Sequence, residues 1–173
     1  MNKYADLIQI QEAREERTGT ATFSDCGLYR YHLTRTWNAR LPRIYWLMLN
    51  PSTADSIKND HTITKVVRFS QQEGFGEAVV LNLFAYRTPY PKVLFEAHES
   101  GIDVVGKEND MFIGEAFASG NPVVGAWGNH GVFLDRGQEI LQLFPQICIL
   151  DLTKSGQPAH PLRLPYKLRL KNL

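Results

Sequence analysis

The sequence predicts an α/β protein: a three-layer α/β/α sandwich whose central, mostly parallel sheet has about four strands, with an N-terminal hairpin at its edge. Three observations carry that expectation. Apolar runs alternate with helix-period segments along the chain, which implies right-handed crossovers. The runs RIYWLML, AVVLNLF, PVVGAW and ICIL are nearly continuous, as happens when both faces of a parallel strand are covered. Each run also leads into a polar or glycine-containing turn: Asn50-Pro51-Ser52, a turn at Arg87, Gly128-Asn129-His130 and Asp151-Leu152-Thr153. Parallel α/β sheets bind ligands outside the carboxyl ends of their strands, so these turns locate a site before any reaction is named.

The elements follow in order. Over residues 4–17, Leu7, Ile8 and Ile10 sit among alternating charges and Gly19 follows, which predicts a peripheral N-terminal helix. ATFSDCGLYRYHLTRTWN places aromatic and β-branched residues at near-alternate positions around Asp25-Cys26-Gly27, a hairpin signature for the sheet edge. Pro42 introduces a strand over 43–49, expected to be central. A helix over 60–73 starts on an acid and a threonine able to cap it, and carries Ile63, Val66, Val67 and Ser70 on one face. A second buried strand over 78–84 runs into the turn Arg87-Thr88-Pro89-Tyr90-Pro91 and a short helix near 93–97. A helix over 106–119, a strand over 123–127, a helix over 133–143 and a strand over 147–150 complete the alternation, with Gly120-Asn121-Pro122 as a forced turn.

The 173 residues, 43% of them hydrophobic, suffice for one substantial core. No repeat or low-complexity linker divides the chain. One domain over 1–173 is therefore expected, with a peripheral segment over 1–20 and an α/β core over 21–173 that ends in a basic tail. The net charge of +1 gives no global attraction to polyanions, so any nucleic-acid contact needs a local patch. Lys154, Arg163, Lys167, Arg169 and Lys171 follow Asp151 with no further acidic side chain; this tail reads equally as a solvated surface or as a phosphate contact. Cys26 and Cys148 lack metal-ligand or disulfide-framework spacing and read as reduced thiols. The charged start lacks an apolar core of signal-peptide length, and no apolar run is long enough to cross a bilayer, so a cytoplasmic location and no membrane partner are expected. No residue pattern requires a cofactor or a metal.

Several familiar chemistries drop out. There is no phosphate-binding loop, no three-glycine dinucleotide fingerprint, no nucleophile elbow and no paired-histidine zinc motif. In Gly125-Ala126-Trp127-Gly128 the tryptophan fills the space that phosphate would need. Asn50 reads either as part of an asparagine-proline turn or as an amide that orients water or a base edge. Asn82 lies inside an apolar strand, where a primary amide is costly unless its hydrogen bonds are met; it is either a base reader or a structural tie. His160 sits in a loop after the last strand, with His130 and His61 as rivals for a catalytic histidine.

Together these segments resemble a bacterial domain-of-unknown-function family, number 1643. The likeness runs through MLNPSTAD, NDHTITK, NLFAYR, KEND, AWGNHG and LTKSGQPAHP. More distantly they resemble the uracil-DNA glycosylase superfamily, in Asn50-Pro51, Asn82, VVGAWGNHG and His160-Pro161-Leu162-Arg163-Leu164. That second resemblance implies a glycosylase-like fold and hydrolysis of an N-glycosidic bond in a nucleic acid or nucleotide. Asn50 would place water, Asn82 would read the base edge, and His160 would stabilise the departing base. Leu164 would enter the duplex, and Ser52, Arg163 and Lys167 would contact the nucleic acid. The flipped base needs an aromatic face, for which Phe84, Trp127 and Phe75 are candidates. Met48 stands where a glycine opens the water-binding motif, Ser52 replaces the residue after its proline, and Leu162 replaces a phosphate-holding serine. These departures favour the alternative, a noncatalytic nucleotide- or nucleic-acid-binding module on the same fold.

Overall fold

The computed structural model describes residues 18–52 and 60–173. The expected helix over 4–17 lies outside the described residues. All described strands join one seven-stranded mixed sheet. They are β1 (Thr18–Phe23), β2 (Arg30–Thr36), β3 (Arg43–Met48), β4 (Glu77–Asn82), β5 (Val123–Gly125), β6 (Cys148–Ile149) and β7 (Lys171–Asn172). Their spatial order is β1-β2-β4-β3-β5-β6-β7, with β3 in the middle. The four strands β4, β3, β5 and β6 are mutually parallel, while β1, β2 and β7 run antiparallel to their neighbours.

The parallel quartet and the edge hairpin match the expectation, but the strand count does not. The seventh strand comes from the basic tail. Residues Leu164, Tyr166, Leu168 and Leu170 pack against the core, while the intervening Arg163, Lys167, Arg169 and Lys171 are exposed. Buried and exposed side chains alternate even though a turn intervenes, in which the Leu168 amide donates to the Pro165 carbonyl before the chain extends into β7.

Both sheet faces are covered. On one face Ile44, Trp46 and Met48 of β3 meet Ile63, Val66, Val67 and Phe69 of helix α1 (His61–Gln72). Ser70 fits that apolar stripe because its hydroxyl accepts from the Trp46 indole at 2.9 Å and donates to the Val66 carbonyl at 2.8 Å. On the other face Tyr45, Leu47, Val79 and Leu81 meet Leu94 and Ala97 of α2 (Pro91–Glu99), Ile113 and Ala116 of α3 (Asn109–Ala118), and Ile140 of α4 (Arg136–Leu143). The last helix starts later than its apolar pattern suggests. A 3-10 segment over Asn129–Asp135 precedes it, and Leu134 and Asp135 take φ of 52° and 56°. Two consecutive left-handed residues break the α-helical ladder, so α4 begins at Arg136.

The connections locate a crevice. From β3 the chain passes through α1 on one face to reach β4, and from β4 it passes through α2 and α3 on the opposite face to reach β5. Neighbouring parallel strands whose connections leave to opposite faces open a crevice at their carboxyl ends. Met48 and Asn82 face each other in register at that point.

Candidate functional site

A cleft of about 470 Å³ occupies the crevice. A second cavity of about 350 Å³ lies against β1, β2 and the amino ends of β3 and β4, with Arg43 and Glu77 in its wall. The first is lined by Asn50 and Ser52, by Thr88 and Pro89, and by Gly128, Asn129 and His130, at three of the four strand ends that the sequence marks out, and it is the candidate site.

The turn after β3 is zipped to the turn after β4. The Leu83 and Phe84 amides donate to the carbonyls of Met48 and Leu49, and the Thr88 amide donates to Pro51. Asn50 completes the join, since its Nδ2 donates to the Thr88 carbonyl at 2.7 Å and to the Pro51 carbonyl at 3.2 Å. With both amide hydrogens spent on carbonyls, Oδ1 is the group that Asn50 offers a ligand or water. The two readings of this residue are thus compatible: the turn tie orients the acceptor.

Asn82, at the end of β4, is 1% exposed and belongs to the cleft wall. Its Nδ2 is buried and has no hydrogen-bond partner among the described residues. An unmet buried donor destabilises the native state by ~1–3 kcal/mol. The main chain beside it is held instead by Asn109, the first residue of α3, whose Nδ2 donates to the carbonyls of Asn82 at 2.9 Å and Leu83 at 3.1 Å.

His160 reaches the cleft on the loop after β6. That loop folds on itself through Thr153 N–H to Gln157 and Ala159 N–H to Asp151. Gln157 also accepts from the Trp127 indole at 2.9 Å. Gly128, at φ 73°, donates to the Pro158 carbonyl, and a Cβ there would sit 3.6 Å from the His160 Cβ. His160 Nδ1 accepts from the Leu162 amide at 3.3 Å. In the neutral ring this leaves the proton on Nε2, so the imidazole presents a donor without carrying charge.

Burial holds the His160 pKa below the ordinary histidine value, with the Asp60 charge acting the other way; burial depresses His32 as well. On acidification the unfolded chain therefore takes up protons first. Stability that is fully present above the unfolded histidine value of ~6.5 is lost as pH falls from there through the lower folded-state value. Urea unfolding at pH 7 and 5.5 should show this loss, and His160→Gln should make it shallower, with His32 supplying the remainder. An unchanged slope would mean an imidazole that stays solvated.

Two charges in the wall have no counterpart among the residues singled out from sequence chemistry. Arg30, 2% exposed, is held down to about 10 by burial, against the raising effect of Asp60, and stays cationic at neutral pH. Asp60 caps α1, its Oδ1 accepting from the Ile63 amide at 2.8 Å. Its cap signature is legible in the sequence, but its place in the cleft depends on where α1 starts relative to β3 and β4. Arg30 begins β2, the second strand in from the sheet edge, and offers no local signal.

The remaining sequence candidates separate. Ser52 and Trp127 line the cleft, and so does His130. Phe84 does not: it is fully buried on the α2–α4 face, its ring 5.3 Å from that of Phe133. Phe75 packs in the α1-side core. Leu164 also packs there, its carbonyl accepting from Lys65 Nζ at 2.7 Å. Leu162 occupies the cleft wall instead and is 41% exposed. Arg163 and Lys167 are exposed, and Lys65 and Arg68 stand 3.9 and 4.0 Å from the Tyr166 ring centroid on the same side. His61 is not part of the cleft wall.

Among the described residues, no group of three His, Cys, Asp or Glu side chains is placed to hold a metal ion. Among those residues, too, no helix is long and apolar enough to cross a membrane. Cys26 is exposed and Cys148 half-buried, both as free thiols.

Comparison with known proteins gives one match. The family model described as "Protein of unknown function (DUF1643)" matches residues 30–162. No curated protein and no solved structure matches.

Proposed function

We propose that this chain, which belongs to the DUF1643 family, binds a nucleobase in the switch-point cleft and hydrolyses its N-glycosidic bond, the base being carried by a nucleic acid or nucleotide. The observation that carries the reading is the unpartnered Asn82 amide in the wall of a cleft that also contains Asn50 and His160. A buried donor left unmet in the free protein is explained if a ligand acceptor meets it. The covered sheet faces and the motif likeness of Asn50-Pro51 and His160-Pro161 support the three-layer, glycosylase-like form of the reading.

Breaking an N-glycosidic bond leaves positive charge on the sugar and negative charge on the departing base. Asn82 Nδ2 donates to a carbonyl oxygen of the base, and His160 Nε2–H donates to the oxygen that gains charge. A neutral donor in a partly dry site strengthens as that charge develops, which favours the transition state over the ground state. Asn50 Oδ1 accepts a hydrogen bond from the attacking water. Trp127, with its indole N–H tied to Gln157, supplies the aromatic wall. Arg163 and Lys167, together with Lys65 and Arg68, provide phosphate contacts on the adjoining surface.

The test is incubation with single- and double-stranded oligonucleotides carrying uracil, hypoxanthine or mismatched bases, followed by detection of abasic sites. Wild type is expected to form them, and Asn50→Ala and His160→Ala to slow formation by about a hundredfold or more. Retardation of the oligonucleotides without abasic sites would favour a noncatalytic binding module. Met48, which lines the cleft beside Asn50, is the observation on that side. Neither retardation nor cleavage would remove nucleic acid from the reading.

A further inference from the structure

Asn50 can hold a water but, as an amide, cannot take its proton. Among the described residues the cleft wall contains a single carboxylate, Asp60. We propose that Asp60 is the general base of the cleft, a role that rests on the glycosidic-bond reading above: it removes a proton from the water held at Asn50 as that water attacks the sugar.

Three features prepare Asp60 for this. Its Oδ1 is fixed by the Ile63 amide, and its own carbonyl accepts from both the Thr64 amide at 3.1 Å and the Thr64 hydroxyl at 3.0 Å, so the residue is anchored at both ends. The cap uses Oδ1, so Oδ2 is the oxygen that remains on this residue of the cleft wall. The Arg30 guanidinium shares the wall, where the Asp60 charge raises its pKa against the effect of burial. Of the other titratable groups around the cleft, His160 and His130 stand in its wall, and His61 follows in the chain. His160 is the neutral donor, so the cleft has a negative oxygen to receive a proton and a separate donor to meet the leaving base.

The step balances. The water oxygen forms a bond to the anomeric carbon, one water proton passes to Asp60 Oδ2, and the C–N bond breaks with its electron pair going to the base. The base leaves as an anion hydrogen-bonded to His160 Nε2–H and is then protonated by solvent, while the Asp60 proton returns to solvent. No oxidant or further co-reactant is needed.

Asp60 is also a helix cap, so the variants must keep the cap and remove the charge. Asn and Ser both accept from a helix amide, and Asp60→Asn and Asp60→Ser meet that need. Wild type, both variants and His160→Ala would be assayed on a deoxyuridine-containing single strand from pH 4 to 9, with circular dichroism and retardation of the same strand alongside. The wild-type rate is expected to rise through the carboxylate range as pH increases. Both variants should fall by about a hundredfold, as for loss of a general base. They should lose that acid limb and retain wild-type helicity and retardation. His160→Ala should slow turnover but keep the limb. Wild type forming no abasic sites would remove the glycosylase reading itself, and this role with it. Turnover by wild type matched by either variant would overturn Asp60 alone. So would a rate loss accompanied by an equal loss of retardation or of helicity, since Asp60 would then act in binding or capping.

Discussion

Asn82→Leu is expected to weaken base-dependent binding about ten- to a hundredfold while leaving the protein as stable as wild type or more so. The two halves of that result have one cause. Asn82 is 1% exposed at the end of an apolar run, and its Nδ2 has no partner among the described residues. Leucine is close to isosteric and removes the unmet donor. Deleting such a donor recovers part of a penalty of ~1–3 kcal/mol, and a gain of ~1 kcal/mol would raise Tm by ~2–4 °C in a chain of this size. A hydrogen bond to a ligand carbonyl is lost at the same time, and because Asn82 is buried the loss falls within that same range of energy. The measurement pairs thermal unfolding with retardation of a single strand carrying uracil, compared with the same strand carrying an abasic analogue. Weaker discrimination with unchanged or higher Tm identifies a residue kept for its ligand. A lower Tm with unchanged discrimination would instead make Asn82 a structural tie.

The same residue shows why the site was partly legible in the chain. A primary amide inside AVVLNLF breaks an apolar pattern, and a broken pattern at a strand's carboxyl end is a signal that sequence alone can carry. Asn50 and His160 were legible for a related reason, each lying in a turn that follows a buried strand. Phe84 was misplaced because it lies beyond the last paired residue of β4, where the chain leaves the sheet and strand alternation no longer says which face a side chain takes. Leu162 lies inside a 3-10 turn over Pro161–Arg163, and Leu164 follows directly after it. That turn decides which leucine meets the cleft and which meets the core, and a three-residue turn leaves no periodicity to read. The tail contained a signal obscured by its charge: Tyr166, Leu168 and Leu170 alternate with Lys167 and Arg169, a period of two that marks one buried and one exposed side. Arg30 was not legible, because its burial arises from the way β2 lies beside the end of β4, a contact far away in sequence.

Asn109→Asp tests how the cleft is supported from behind, and it should be the most destabilising isosteric change in the protein. The Asn109 side chain is fully buried and its Nδ2 serves two carbonyls, those of Asn82 and Leu83. Exchange of NH2 for oxygen turns two attractive contacts into repulsive ones and leaves both carbonyls without that donor. Arg136 approaches them, its Nη2 lying 3.5 Å from the Leu83 carbonyl. It is already paired with Asp110 and with Glu139. An uncompensated buried charge weakens folding by ~3–5 kcal/mol, a large share of the ~5–15 kcal/mol that holds a domain together. Burial raises the folded-state pKa of the introduced carboxyl above its unfolded value of ~3.9, so between those two values the native state binds more protons than the unfolded one. The added destabilisation is therefore least in acid and grows by ~1.4 kcal/mol for each pH unit above ~4 until the folded-state pKa is passed. Asn109→Ala also strips both carbonyls of their donor but adds no titratable group, so its penalty relative to wild type should not vary with pH. Urea unfolding of the three proteins at pH 5 and pH 8 separates the cases. If the two variants lose equal stability at both pH values, water enters behind β4 and the end of the strand is held by something other than the Asn109 amide. If they diverge as pH rises, the carboxyl end of β4, and Asn82 with it, is positioned by a dry contact from the first turn of α3.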